Sequence, residues 1–598
     1  MAPKLNDCPT SLPVATSKLW HLRSHDPDAA KRLGAQIRAS PVVAQLLLQR
    51  GVSEPGAARI FLDSPMSGLH SPQLLPGVNE AAERITQAMA AGRKICVYGD
   101  YDADGVTGAT ILLRLFRTLG IEAEFYVPHR LEEGYGLNSE AVRQLADNGV
   151  SLVITVDCGI ASLDEADEAR RCGLELIITD HHEMKDRLPA ADVLVHPRLP
   201  HSKYPFAGLS GAGVAFKLAW AIAQRVSGAD KVTAPLREFL LDAIGLAALG
   251  LVADVVPLLD ENRVLVRHGL TRLASKPSPG IRALVEAAGI PANGALKAED
   301  IAFKLAPRLN AAGRLGCARL VIELLTTPHS SKAKELAEYL ESQNLERQAR
   351  ERKMTQSAKE LVESAGYANA PGIVLASTEW HAGVVGIVAG RLADQFARPV
   401  LLIALKDGDA VSTGSGRSVP GFPLHEALAA CGDELLAHGG HAAAAGFKVL
   451  PSRVDALRER FAAVAAKHFP DGPPAPRLTL DAEVPLAALT FGLLADIDKL
   501  EPYGAENPRP RFLASDLKVE GSPRRIGKEE RHLSFRLRQG ETLIRGVAWG
   551  MGERLDELMS NGGRCCVAFT PKVNEWNGYR SVEIEVIDFQ PTPEPKLG

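Results

Sequence analysis

From residue 94 onward the chain alternates short apolar runs with longer amphipathic ones, and no other feature limits its fold so much. "KICVYGD" reads as a buried strand and "VTGATILLRLFRTLG" as a helix closed by Gly120. "IEAEFYVP" is a second strand, "NSEAVRQLADNG" a helix with Asn138 or Ser139 as N-cap, and "SLVITVDCG" a third strand. "SLDEADEARRCG" is again helical, "LELIITDHH" is a fourth strand and "ADVLVHP" one more. Strands that alternate with amphipathic helices form parallel βαβ units, so the expected fold is a doubly wound α/β sheet.

The chain has 598 residues, too many for one core; such a length suggests about three to five domains. Residues 1–75 read as a Pro-punctuated N-terminal helical extension, and 76–275 as the first α/β body. Leu- and Ala-rich helices follow it, through "LLDAIGLAALGLVADVVPL". Residues 276–366 read as a helical region that ends in one long solvated helix, because 330–365 carries dense charge and lacks Gly and Pro. A second α/β body spans 367–470 and opens on "GIVLAST". The Pro-rich "FPDGPPAPR" marks a linker. Beyond it, 476–592 holds short alternating strands such as "HLSFRLRQ", "TLIRGVAWG" and "YRSVEIEVIDF", the pattern of a small all-β barrel.

Apolar residues make up 46% and charged residues 23%, the balance of a soluble globular protein. The net charge of -4 gives no global basic field, which argues weakly against nucleic acid, since a local basic groove can coexist with an acidic total. The eight cysteines contain no CxxC pair and read as buried free thiols in a reducing compartment. The first twenty residues lack the apolar core of a signal peptide, and no run is long enough to span a membrane. The expected compartment is the cytoplasm.

In an open α/β sheet the ligand site lies at the carboxyl ends of the strands. The first strand ends in "GDYDADG", with Asp100, Asp102 and Asp104; the third ends at Asp157, and the fourth at Asp180, His181 and His182. Three carboxylates so close in one loop repel each other unless a cation sits among them. Any one Asp-rich loop is more often a turn or a helix N-cap, and a lone His pair more often a solvated or core histidine. Three strand ends delivering acids and imidazoles to one edge outweigh those readings. Mixed Asp and His suit Mn²⁺ better than Mg²⁺, and the number of acids suggests two ions sharing a bridging carboxylate, as in phosphodiester hydrolysis.

In this order, "DYDADG", "VDCG", "DHH" and "GLVADVVPL" resemble the signature motifs of the DHH phosphoesterase family. "PRLNAAGRLG", "EWHAGVVGIVAGRL", "SGRSVPGF" and "GGHAAAAGF" are similar to motifs found together in the family's bacterial single-strand-specific 5′-to-3′ DNA exonucleases. The likeness runs from about residue 75 through the C-terminal barrel, which would then be an OB fold. It implies two α/β bodies, DHH and DHHA1-like, joined by a long helix. It further implies two Mn²⁺ or Mg²⁺ ions on Asp102, Asp104, Asp157, His181 and Asp254, with Asp104 and Asp157 touching both and His182 beside the scissile phosphate. Asp100 is left as an outer support or a loop cap. Arg130 and Tyr135 would lie near the strand terminus, Ser415 and Arg417 at a terminal phosphate, and Arg314 and His441 on the nucleotide backbone, reaching it from the second body. Gly439 and Gly440 are read as packing glycines. The resemblance expects a glycine where "EPYGAENPRPRF" has Glu506.

The implied activity is release of 5′-mononucleotides from single-stranded DNA in recombination and repair, by a monomer whose partners would be a single-strand-binding protein and a helicase. In the barrel, Arg524, Arg525, Lys528 and Arg531, with Phe535 to stack on a base, read as a strand grip. One alternative is a DHH hydrolase of short oligonucleotides or cyclic dinucleotides, which usually lacks the long helix and barrel. Another is a non-catalytic single-strand-binding scaffold, which would be expected to have lost metal ligands.

Overall fold

The computed structural model describes residues 18–592 except 130–132, 135, 292–293, 409, 473–474 and 577. The chain forms two compact units: residues 52–349 with 497–509, and residues 1–51 with 350–496 and 510–598.

The first unit is built on five parallel strands: β1 (Ile95–Gly99), β2 (Glu124–Tyr126), β3 (Leu152–Val156), β4 (Glu175–Thr179) and β5 (Val193–Val195). Their order is β2-β1-β3-β4-β5, so the winding reverses between β1 and β3, the position where doubly wound sheets bind ligands. All five residues of β1 and of β3 are buried, as expected of strands covered on both faces. Helix α1 (Ala103–Thr118) follows β1, and α2 (Gly211–Ser227) and α3 (Ala234–Ala253) pack around it. Helix α1 begins at Ala103 rather than at the apolar run from Val106, because Asp102 caps it by accepting the amides of Asp104 and Gly105. Close packing is enforced at Gly108, where a Cβ would lie 2.6 Å from the Val156 side chain and 3.1 Å from the Ala212 backbone. Val97, Ile154, Ala109, Leu112, Leu218 and Leu249 share the core, each buried aliphatic chain contributing about 1.5–3 kcal/mol. Helix α4 (Ala306–Arg314) follows, and α5 (Ser330–Ser364) is the single long helix that the charge pattern predicts.

Residues 497–509, inside the 476–592 span expected to form the barrel domain, pack with this unit. Leu258 donates its amide to Ala505 O at 2.9 Å, and buried Arg263 bonds the carbonyls of Lys499, Leu500 and Glu501. Glu506 stands here at φ +56°, a left-handed conformation that glycine adopts without strain.

The second unit holds a sheet of β6 (Ile373–Ser377), β7 (Val400–Ala404), β8 (Ser412–Arg417), β9 (Ala437–Gly440) and β10 (Ala444–Val449), with α6 (Ala382–Phe396) against it. Only β6 and β7 are parallel; β7–β8, β8–β10 and β9–β10 run antiparallel. The expected barrel is present. Strands β11 (Phe512–Ile526), β12 (His532–Gln539), β13 (Thr542–Ala548), β14 (Arg564–Trp576) and β15 (Tyr579–Pro591) pair as β11-β12-β13-β15-β14, and β11–β14 pairing closes the ring. A helix, Leu555–Gly563, sits between β13 and β14, so the domain is not purely β.

Two expectations need correction. The N-terminal extension carries the expected helices but also a strand, Leu19–Leu22, paired in parallel with Arg477–Leu480. Trp20 packs against Leu478, Leu480 and Ala568 and donates its indole N–H to Asp588 at 2.9 Å, which ties this segment to the barrel. Phe535 is 3% exposed inside the barrel, so it is a core residue and not a stacking surface. Among the described residues of the barrel strands and their turns, the exposed aromatics are Trp549 and Tyr579, while Arg524, Arg525, Lys528 and Arg531 are exposed as expected.

Candidate active site

Four chain segments end at one edge of the first sheet. Asp100 follows β1, Asp102 and Asp104 stand at the start of α1, Asp157 follows β3, and Asp180, His181 and His182 follow β4. Asp254 forms the C-cap of α3. His181 lies at the centre. Its Nε2 is 3.1 Å from Asp157 Oδ1, 3.5 Å from Asp254 Oδ2 and 3.9 Å from Asp104 Oδ2. Three overlapping groups have ligand atoms within 4.8 Å of one another: Asp157 with His181 and His182, Asp104 with His181 and Asp254, and Asp100 with Asp102 and Asp157. The five residues expected to ligate metal therefore converge, and His182 and Asp100 join them.

The backbone is held in uncommon shapes here. Asp157 has φ +66° and Val255, directly after Asp254, has φ +60°. Aspartate tolerates that region; a β-branched residue does so only under strain.

Residues outside the expected ligand set hold these groups in place. Asp104 accepts hydrogen bonds from Ser210 Oγ (2.8 Å), the Gly211 amide (2.6 Å) and the Ala212 amide (3.1 Å), so the start of α2 faces its carboxylate. A Cβ at Gly211 would lie 2.4 Å from the Asp157 side chain, and one at Gly250 2.3 Å from Asp104 Oδ1; glycine is required at both. The Ala103 amide donates to Asn310 Oδ1 at 2.7 Å, and a Cβ at Gly313 would lie 2.3 Å from Tyr101 O. "PRLNAAGRLG" is thus the clamp on the acidic loop. Asp180, unassigned from sequence, accepts the Ile160, His181 and His182 amides and the His182 ring Nδ1 at 2.8 Å.

Burial and crowding shift the titration of nearly every group. Burial, then the Asp102 charge, pushes Asp104 up to about 6 against its three hydrogen bonds. Burial and Asp104 push Asp157 well above the carboxylate range. The same causes, with Asp102, raise Asp254 to about 8. Burial, and then the charge of His182, lowers His181 to about 3, so its ring is neutral and its Nε2 can ligate. Burial opposes the charge of His182, but the Asp180 hydrogen bond and charge win and raise it to about 9. Burial likewise opposes ionisation of Asp180, and the His182 pairing still holds it near 2. Three carboxylates, two of them buried, made hard to ionise by one another around a neutral imidazole, are the donor set of a divalent cation.

In the second unit Ser415 and Arg417 share β8, with Arg417 Nη1 3.1 Å from Ser415 Oγ. Helix α6 approaches them through Gly386, where a Cβ would lie 2.9 Å from Ser415 Oγ and 3.1 Å from Arg417 Nη2. His441 is exposed in the turn between β9 and β10, three residues before Ala444, the partner of Arg417. Gly440, at φ +138°, has no room for a Cβ; Gly439 faces open space, so packing does not require it. Arg314, expected beside His441 on the second body, instead ends α4 in the unit that holds the acidic cluster, because its helix packs on the acidic loop through Asn310. Arg130 and Tyr135 lie outside the described residues.

Residues 94–247 match the DHH family N-terminal domain and 369–467 the DHHA1 domain, which makes this a DHH-type protein; 480–588 match the RecJ OB domain. The single-stranded-DNA-specific exonuclease RecJ of Bacillus subtilis is 38% identical over 96% of this chain and 71% of its own. The enzyme of the same name from Escherichia coli is 34% identical over 95% of this chain and 99% of its own. The crystal structure of RecJ in complex with Mn²⁺ from Thermus thermophilus superposes with a TM-score of 0.82 at 34% identity, covering 96% of this chain and 80% of that one. The chain belongs to the RecJ exonuclease family.

Proposed function

We propose that the protein is a metal-dependent exonuclease that removes 5′-mononucleotides from single-stranded DNA in the 5′-to-3′ direction, serving recombination and repair. The convergence of Asp104, Asp157, Asp254 and His181 on one buried locus carries this reading. Asp102, Asp104, Asp157, His181 and Asp254 would hold two ions, Mn²⁺ or Mg²⁺. When bound, the ions supply Lewis-acid stabilisation of charge on the phosphodiester and acidify water for in-line attack.

The chain's own groups do the rest. The start of α2 fixes the Asp104 carboxylate, and Asp180 fixes the His182 ring through Nδ1. His182 titrates near 9, so it is cationic at neutral pH and suited to a phosphate oxygen. Ser415 and Arg417 would take the terminal phosphate, the guanidinium offering two parallel donors. Arg314 and His441 would contact the backbone, with Arg130 and Tyr135 near the strand terminus. The exposed barrel arginines and lysine suit phosphates along the strand, with Trp549 and Tyr579 in the stacking role first read for Phe535. This barrel favours a long strand over a dinucleotide as substrate.

The division into an N-terminal extension, DHH domain, connecting helix, DHHA1-like domain and OB domain near the boundaries given above belongs to the same proposal. So do a cytoplasmic location, a monomeric state, and a single-strand-binding protein and a helicase as partners. Among the described residues no helix is long and apolar enough to cross a membrane.

The test is digestion of single strands labelled at the 5′ or the 3′ end, beside the matching duplex, with and without Mn²⁺. The expected result is immediate release of the 5′ label as mononucleotide, only with metal and only from single strands. Progressive shortening from the 3′ end, or equal attack on duplex, would refute the assignment.

A further inference from the structure

Residues 298–314 form one helical rod that changes gauge in the middle: Ala298–Asp300 is α-helical, Ile301–Leu305 is a π turn, and α4 completes it. Pro307 explains the change. It has no N–H to give to Phe303 O, and its ring would clash with that carbonyl four residues back. The rod widens instead, and Ala306 donates to Ile301 O, five residues away.

The consequence falls on Phe303. Ile301, Leu305, Ala306 and Leu309 are buried, whereas Phe303 is 78% exposed. No large apolar side chain among the described residues of this unit is more exposed; Val255, at 70%, is next. Leaving a phenylalanine in water forgoes about 1.5–3 kcal/mol of burial, so a π turn that displays one calls for something to cover it.

The location says what covers it. The rod holds the acidic loop through Asn310, and Phe303 stands seven residues earlier, roughly 10 Å along the axis at about 1.5 Å per residue. The π turn packs on α3, whose C-cap is Asp254 and whose next residue is the exposed Val255. Among the described residues of the unit, the two most exposed large apolar side chains thus lie on, or just beyond the end of, the two elements that abut the acidic cluster.

We propose that Phe303 is a stacking surface for one unpaired base of the DNA strand beside the acidic cluster. The inference rests on the exonuclease reading and deepens it. An aromatic face accepts any base, so the contact leaves sequence unread, and it requires a base whose own face is bare. In a duplex those faces are covered by neighbouring base pairs, so Phe303 also contributes to the choice of single strands.

The experiment compares the full-length protein with Phe303→Ala and Phe303→Trp. Affinity for a single-stranded oligonucleotide is measured in chelator, where nothing is cleaved, and KM and kcat are measured with Mn²⁺. Both use an intact strand and a series with one abasic site moved nucleotide by nucleotide from the cleaved end. Phe303→Ala should weaken binding and raise KM about 5- to 150-fold, the factor equivalent to about 1–3 kcal/mol per stacked base, with kcat nearly unchanged. An abasic site at one position should cost the wild type the same factor and the Ala variant nothing, while Phe303→Trp keeps the wild-type pattern. Unchanged melting temperatures are expected, because the ring is exposed. If Phe303→Ala binds intact and abasic strands as the wild type does, or the wild type binds no strand, the inference is overturned. If the wild type binds in the expected abasic pattern but cleaves nothing, the stacking role stands and the exonuclease reading falls.

Discussion

Each of the two five-stranded sheets presents polar groups, in opposite ways. In the parallel sheet, Asp104 and Asp157 are at most 2% exposed, like charges crowded where water cannot screen them. In the mixed sheet, Ser415 and the Arg417 guanidinium are half-buried and His441 is exposed, so solvent already reaches the one fixed charge among them. Buried like charges raise one another's pKa and need a cation to be held ionised. A half-buried guanidinium that solvent and nearby oxygens already reach does not depend on a ligand to stay charged. The first arrangement therefore reveals its ligand by its own strain, whereas the second gains its meaning only from the phosphate it would grip.

The sharpest way to break this contrast is to remove one buried ligand. Asp104→Ala and His181→Ala should each lower single-turnover cleavage by several kcal/mol of transition-state stabilisation, roughly three decades or more, with unchanged far-UV circular dichroism. Near-normal turnover by either folded variant would contradict the assignment. On the other sheet the loss should be smaller and selective. Arg417→Ala is expected to weaken binding of 5′-phosphorylated strands by about 1.5–3 kcal/mol, and of 5′-hydroxyl strands far less. Equal losses would make Arg417 a general backbone contact.

A milder probe leaves every ligand in place. Ser210→Ala removes one of three hydrogen bonds to Asp104 and should lower Mn²⁺ affinity about tenfold, measurable by titration calorimetry, without altering the 5′-phosphate preference. The smallest effect concerns strain. Val255→Gly relieves a β-branched residue at φ +60° and should raise stability by about 1 kcal/mol net of glycine's entropy, a rise of about 2 °C in melting temperature. A fall in melting temperature would mean that the left-handed turn is not strained by valine.

What the sequence makes legible follows the same divide. Asp102, Asp157 and His181 could be read because each ends an apolar run whose period announces a buried strand, and strand ends are where a parallel sheet gathers ligands. Ser210, Gly211, Gly250 and Asn310 were passed over because each meets the site from a distant segment, and a serine or glycine has no pattern of its own. Asp180 was noted at its strand end, yet nothing local shows that it bonds His182 rather than a metal. Phe535 was misread because alternation fixes the two faces of a strand but not which face lines the barrel. The Leu19–Leu22 strand is four residues long and its partner begins at Arg477, too short and too distant a pairing to be seen.

The central claim is that the acidic edge between β1 and β3 is a two-ion centre in which Asp157 is shared. Equilibrium dialysis with Mn²⁺ tests it without reference to DNA. The wild type should bind two ions per chain, and Asp157→Asn, chosen because asparagine also tolerates a positive φ, should bind none tightly while remaining folded. Retention of two tightly bound ions by Asp157→Asn, or none in the wild type, would contradict the account.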